Sequence, residues 1–275
     1  VSTFSGQLQI HAATRADGRT VLATQSFRAP FHLSKPYWNP DVRALLVQVV
    51  NPTAGILSGD QLESRIVVDR AAALVVTTPS ASRVFQMRTG EAVSRQDFTV
   101  AAGAWLEVMP EPLVPHRGSR FRQVTSIEVE TGGALFYVDQ LMPGRVGHGE
   151  AWQWDRLQID LTVRVGGQLA LRERFDQTGP ELKALAAQFG SGAETCFANA
   201  VLIAPVGGLS RPPWCAALDA LHGKHLWVGR SELRRGGWYL RLVAANSLTL
   251  RAGLRDVRAI LAGHFPYLSF DLRKL

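Results

Sequence analysis

The ten residues RLQIDLTVRV, Arg156–Val165, alternate polar and apolar side chains without interruption. Leu157, Ile159, Leu161, Val163 and Val165 fall on one face. Arg156, Gln158, Asp160, Thr162 and Arg164 fall on the other, the pattern of a strand with one face buried. Gly166-Gly167 then predicts a hairpin turn, and the run 168–175 continues the pattern through Leu169, Leu171 and Phe175. The same period of two recurs over most of the chain. Runs at 20–27, 43–50, 62–68, 72–78, 92–100, 104–109, 121–130, 134–141, 198–204 and 238–244 read as strands, separated by short segments holding Gly, Pro or Asp. Many short strands at such spacing predict an antiparallel β architecture, as a sandwich, a barrel or a solenoid-like stack. No strict repeat period marks a regular solenoid.

Helical patterns are confined to the last third. The run 180–189 opens with Pro180 in a first-turn position and stops before Gly190. A second candidate covers 212–222. The clearest covers 247–264, where Asn246 or Ser247 can cap the start and Leu250, Leu254, Val257 and Leu261 form one stripe. Strands first and helices last, with no low-complexity linker, predict one mainly β domain over residues 1–275.

The 275 residues can bury a large core, and 46% hydrophobic with 19% charged residues is ordinary for a globular chain. No apolar run is long enough to span a bilayer, and VSTFSGQLQI at the start lacks the features of a secretory signal. Two cysteines, Cys196 and Cys215, without a CxxC, point to buried thiols in a reducing compartment, hence the cytoplasm. The net charge is +7, and only four of the 30 basic residues are lysines. Arginine favours forked contacts with carboxylates or phosphates. The charge is scattered, so acidic protein partners fit it about as well as nucleic acid does.

The familiar catalytic signatures are missing. There is no GxSxG around a nucleophile, and Gly190-Ser191-Gly192 lacks the flanking strand and helix. His222 and His225 form an HGKH pair without a second pair to complete a zinc set. Gly223-Lys224 stands outside any P-loop frame, and no GxGxxG follows a strand. The acids carry more information. Asp60 closes the Gly-rich turn NPTAGILSGD (51–60), Glu63 follows it, Glu107 lies in WLEVM, Asp139 interrupts LFYVD, and Glu150 ends GRVGHGE. An acid inside an apolar strand must be paired, hydrated or coordinated. Arg145 is the nearest partner in sequence for Asp139 and Glu150. Three readings stand: structural ion pairs, a hydrated polar path that handles cations, or the paired carboxylates of a carbohydrate-active enzyme, for which Trp152 and Trp154 would offer stacking surfaces.

Five blocks carry a resemblance. NPTAGILSGD (51–60), TTPSASRVFQM (77–87), GAWLEVMPEPLVP (103–115), LFYVDQLMPGRVGHGEAW (135–152) and GWYLRLVAANSLTLRAGL (237–254) resemble, in order and spacing, the urease accessory protein family UreD, also called UreH. Ala54 and Ser58 stand where that family usually has glycine, and Arg83 where it usually has lysine. The resemblance implies a stacked, β-helix-like fold with a few helices near the C-terminus and a non-enzymatic role in urease maturation. It implies binding to the urease apoprotein and to UreF, and through UreF to the GTPase UreG, with no nucleic acid and no membrane. It implies no tightly bound cofactor and transient nickel, handed on through the subunit. On that resemblance Asp60, Glu63, Asp139, Arg145 and Glu150 are expected along an internal nickel passage. The basic face of the last helix, Arg251, Arg255 and Arg258, is expected either to be solvated or to dock UreF. The alternative is the β-rich carbohydrate-active enzyme.

Overall fold

Between residues 44 and 165 the chain crosses from one β-sheet to the other and back with each long strand. In this computed structural model, which describes residues 5–189, 192–204 and 212–272, a seven-stranded and an eleven-stranded sheet share the long strands between them. Gln61–Val68, Ala92–Val100, Arg120–Val129 and Arg156–Val165 lie side by side and parallel in the first sheet. Ala44–Val50, Ala73–Thr77, Trp105–Met109 and Ala134–Leu141 do the same in the second. Each strand of one sheet is followed in sequence by a strand of the other, which makes the body a β-solenoid. Ser82–Val84 and Leu113–Pro115 pair in parallel to form a narrow third side.

The expected antiparallel pairing is therefore corrected for the centre of both sheets. Alternation of side chains is the same in parallel and antiparallel strands, so the sequence pattern could not separate them. The turns carry the chain to the opposite sheet, and each strand meets its partner one coil later. The coils differ in length: Gln61 lies beside Val93, Ala92 beside Phe121 and Arg120 beside Arg156. That inequality hides the repeat. Antiparallel pairing survives at the margins. Arg156–Val165 and Gln168–Gln177 form the expected hairpin, with Gly166 and Gly167 both at positive φ. Ser5–Thr14, which the alternation did not flag, pairs in parallel with Gln61–Val68 and antiparallel with Thr20–Arg28. Leu226–Glu232, interrupted by Gly229, also escaped and closes the far edge of the larger sheet.

Leu74, Leu106, Ile127 and Val163 meet in the core between the sheets. The central strands of the larger sheet are buried on both faces, which explains their unbroken apolar runs. Their outer face is covered by helices. Helix α1 spans Gly179–Ala186, α2 Trp214–Asp219 and α3 Ser247–Ala262; α2 and α3 cover that face, while α1 packs through Leu182 and Ala186 in a separate cluster with Phe121, Trp152 and Trp154. A capping box between Thr178 and Glu181 starts α1, and a short 3-10 turn, Ala187–Phe189, completes the expected run. The α2 helix is shorter than expected at both ends. For α3 the cap is Asn246, whose side chain accepts the Thr249 N–H, and Leu250, Leu254, Val257 and Leu261 pack onto the sheet. Gly190 and Ser191 lie outside the described residues. Both cysteines are buried and neither is in a disulfide. Among the described residues no helix is long and apolar enough to cross a membrane.

Candidate functional site

The turn at 51–60 builds part of the third side. The Asn51 carboxamide oxygen accepts the Thr53 N–H at 2.9 Å and the Thr53 hydroxyl at 2.6 Å. Ile56 donates to the Arg83 carbonyl at 2.8 Å and accepts from Phe85 N–H at 2.9 Å, a single parallel bridge across Val84. This bridge presses the backbone of Gly55, at φ +150°, against the Arg83 carbonyl. Asp60 is fully buried; its carboxylate accepts the Leu57 N–H at 2.9 Å, and its carbonyl accepts from Val93. The turn is glycine-rich for close approach, and its acid ties the turn together.

Behind this turn lies a partly open cavity of about 310 Å³ between the two sheets. Its mouth is framed by 51–56 and 78–83, the first two blocks of the resemblance. Its floor comes from inward positions that the alternation assigns to the core. Ser94 sits beside Gln123, and Ser64, Gln96 and Thr125 form a row across three strands. The next inward row, Ile66, Phe98, Ile127 and Val163, is apolar. Polar side chains thus occupy core positions at two adjacent levels of the solenoid. Thr125 donates to the Gln96 carboxamide oxygen at 3.1 Å.

From the opposite sheet, Tyr137 and Asp139 face these rows. Gln123 donates to the Asp139 carboxylate at 3.3 Å. The buried Tyr137 hydroxyl makes no hydrogen bond among the described residues but lies between Thr125 and that carboxylate, close enough to interact with both. Burial pushes the Asp139 carboxyl up to about 6, and the neighbouring Tyr137 and Gln123 only partly offset it. Burial and Asp139 together hold the Tyr137 phenol well above its usual range. Sequence reasoning found Asp139 and missed the serine, threonine and glutamine side chains opposite it. A break in apolar content at inward positions of three strands was the available signal.

The other expected passage residues lie elsewhere. Asp60 is locked in its turn, and Glu63 is exposed on the outer face of the smaller sheet. Arg145 does not reach Asp139; it grips Glu150 through two nitrogens at 2.7 to 2.9 Å, across a two-stranded ribbon formed by Gly144–Arg145 and Glu150–Ala151. That contact holds the Glu150 carboxyl below its usual range. None of the four lines the cavity. A carboxylate that sequence reasoning did not place there does: Glu111, at the rim, with Arg251 of α3 at 3.4 Å.

The basic face of α3 divides. Arg258 turns inward, donating to the buried Glu107 carboxylate at 2.9 and 3.2 Å and to the Phe270 carbonyl at 3.1 Å. Arg251 leans on Glu111. Arg255 stays out in solvent on the same helix as Leu248, the most exposed large apolar side chain among the described residues at 77%. Trp152 and Trp154 are buried and pack against each other, so they offer no stacking surface to a sugar. His222 closes a local turn through the backbone of Val228, and no group of three or more metal-ligating side chains forms among the described residues.

The arrangement is that of a β-solenoid with a cavity of mixed apolar and polar lining between its sheets, flanked by helices on the larger sheet. The UreD urease accessory protein family matches residues 5–269, nearly the whole chain. A urease accessory protein UreD from Opitutus terrae is 58% identical over 272 residues, covering 99% of each chain. A UreD from Acetivibrio thermocellus is 26% identical over 247 residues, 90% of this chain and 93% of the relative. One from Yersinia pseudotuberculosis is 34% identical over 208 residues, 73% and 64% of the two chains. The chain belongs to the UreD family of urease accessory proteins, and its role lies in urease maturation.

Proposed function

We propose that this chain is a non-catalytic bridge in the urease maturation assembly and a conduit for the nickel that urease receives. It would bind the urease apoprotein on one side and UreF on another, with UreG joining through UreF, in the cytoplasm. The observation that carries the conduit reading is the cavity between the sheets with Asp139 facing amide and hydroxyl groups. Carboxylate, amide and hydroxyl oxygens are acceptable ligands for a borderline divalent cation. One carboxylate with neutral neighbours holds such a cation weakly, which suits a cargo that must leave again.

The exposed stripe of α3, Leu248 and Arg255 with Arg251 beside them, supports the reading that this helix meets the helical partner. An apolar anchor rimmed by arginine is the composition that interfaces favour.

The test is urease activation. Apo-urease, UreF, UreG, nickel, bicarbonate and GTP are combined with this chain or with its Asp139→Asn variant, after assembly is verified by size exclusion. The expected result is a full complex with nickel loading of urease reduced several-fold. Undiminished loading by the assembled variant would remove Asp139 from the route.

A further inference from the structure

We infer that the cavity takes its cargo with the water shell intact: the species held beside Asp139 is the hexaaqua divalent ion, bound through hydrogen bonds from its waters and not through bonds from metal to protein. This rests on the conduit reading of the cavity. It adds the chemical form of the cargo and a consequence for the choice of metal.

Three features support it. The first is the set of groups on the walls. Ser64, Ser94, Gln96 and Gln123 line the cavity on one side, and Tyr137 and Asp139 on the other. The other lining carboxylate, Glu111, stands at the rim in contact with Arg251. No three carboxylate, imidazole or thiol side chains come together as a metal site among the described residues. Small divalent cations give up water reluctantly, and keep several waters where only one or two carboxylates are offered. The second is spacing. Ser94 pairs with Gln123 and Ser64 with Gln96, each from neighbouring strands of one sheet, while Asp139 comes from the other sheet. Neighbouring strands lie about 4.8 Å apart and packed sheets about 10 Å apart. The polar groups are therefore spread over the walls and do not converge on one point. An ion with waters at about 2.1 Å is roughly 7 Å across, which fits between such walls. Six waters take up about 180 Å³ at liquid density, and the cavity offers about 310 Å³. The third is the Tyr137 hydroxyl. It is buried, makes no hydrogen bond among the described residues, and lies between Thr125 and Asp139. A buried hydroxyl in that state is unfavourable. A metal-bound water set against the Asp139 carboxylate would donate one O–H to the acid and the other to the phenol oxygen. Waters on a divalent cation are strong donors, and carboxylate, carboxamide and hydroxyl oxygens are the acceptors they need.

Binding through water reads the charge and size of the hydrated ion, and not which metal lies inside it. The choice of nickel would then be made before the cavity, by the protein that hands the ion over, and after it, by the site that strips the water away.

The experiment is titration calorimetry on the full-length chain near neutral pH, with folding checked by circular dichroism. The probes are Mn²⁺, Co²⁺, Ni²⁺ and hexaamminecobalt(III), whose six ammonia ligands do not exchange. Comparison of wild type with Asp139→Asn assigns the signal to the cavity. The expected result is an Asp139-dependent site that binds the three divalent ions within about threefold of one another, whereas direct ligation would rank them Mn²⁺ < Co²⁺ < Ni²⁺. Hexaamminecobalt(III) should displace Ni²⁺ from that site. Asp139-dependent Ni²⁺ binding that the inert complex fails to displace, or an affinity that climbs about tenfold or more from Mn²⁺ to Ni²⁺, overturns this inference and leaves the conduit standing. Identical Ni²⁺ titrations of folded wild type and Asp139→Asn overturn the conduit reading itself, and this inference with it.

Discussion

Arg258 and Glu107 are 151 residues apart in sequence and meet through two hydrogen bonds, Nε to Oε1 at 2.9 Å and Nη2 to Oε2 at 3.2 Å. Glu107 sits mid-strand in the larger sheet with its side chain wholly buried, and Arg258 comes from α3 with 13% of its side chain exposed. The third bond of the guanidinium, to the Phe270 carbonyl, draws the segment after α3 into the same cluster. Helix, sheet and C-terminal segment are thus joined at one charge pair. The acid that the sequence left as an unexplained interruption of WLEVM has its partner here, and an arginine expected on a docking face has an internal role.

Removing one member of such a pair leaves the other charged and buried, which costs about 3–5 kcal/mol. Arg258→Ala and Glu107→Ala are each expected to destabilise the chain by that order in denaturant unfolding. Arg255→Ala, at an exposed position, should change stability by less than about 0.5 kcal/mol. Replacing both partners at once, as Arg258→Met with Glu107→Leu, should recover most of the loss, because no charge is then stranded. Equal and small effects for Arg255→Ala and Arg258→Ala would contradict the geometry.

Asp139 makes stability depend on pH in a defined direction. Its carboxyl titrates near 3.8 in the unfolded chain and about 6 in the fold. The folded state therefore holds the proton more tightly. The protonated carboxyl contributes its full stabilisation below pH 3.8, and that contribution is lost as pH rises through about 6. Asp139→Asn does not ionise and escapes the loss. Its stability relative to wild type should therefore grow between pH 4 and pH 7, by roughly 2–3 kcal/mol on the linkage relation. The same substitution is expected to weaken nickel loading, so a more stable variant should be a poorer maturation factor. A pH-independent difference between the two proteins would show that the carboxyl is solvated like a surface acid.

Much of the fold was legible because period-two alternation survives in most strands. Ala92–Val100, Ala134–Leu141 and Trp238–Ala244 have the boundaries that alternation assigns them, and α3 follows its leucine stripe. The pairing was not legible, since parallel neighbours such as Gln96 and Thr125 come from different coils of unequal length. The site was legible only in part for the same reason. Asp139 stands out in its own strand, but the Ser64, Gln96 and Thr125 row exists only after three strands are laid side by side. Burial misled in the opposite sense at Trp152 and Trp154, where aromatic residues among glycines and charges read as exposed. The ion pairs of Glu107 and Glu111 with α3 join residues 151 and 140 positions apart, beyond the reach of any local pattern.

The bridge at Gly55 makes the mouth of the cavity sensitive to a single methyl group. A Cβ there would lie 2.5 Å from the Arg83 carbonyl oxygen, backbone that cannot rotate away, and the residue sits at φ +150°. Gly55→Ala is expected to destabilise by about 2 kcal/mol or more, through strain and loss of the Ile56 hydrogen bonds. Gly103 has φ +72° and open space around its Cβ position, so Gly103→Ala should show only the left-handed penalty of about 1–2 kcal/mol. Thermal unfolding of the two variants side by side separates close approach from backbone conformation. Faster proteolysis within 51–56 and 78–83 in Gly55→Ala alone would localise the damage to the mouth.

Docking on α3 is best tested at the residues that remain free to dock. Reversing all three arginines together would break the Arg258–Glu107 pair, and lost binding would then report unfolding. Leu248→Asp and Arg255→Glu leave that pair intact, since both side chains point into solvent. Each is expected to weaken binding to UreF by about tenfold or more if Leu248 is an anchor and Arg255 its charged rim, with thermal stability unchanged. The Arg255→Glu effect should shrink as salt is raised, because a rim charge acts through screened electrostatics. The Leu248→Asp effect should persist. UreF binding that ignores both substitutions in a folded chain would move the interface off this helix.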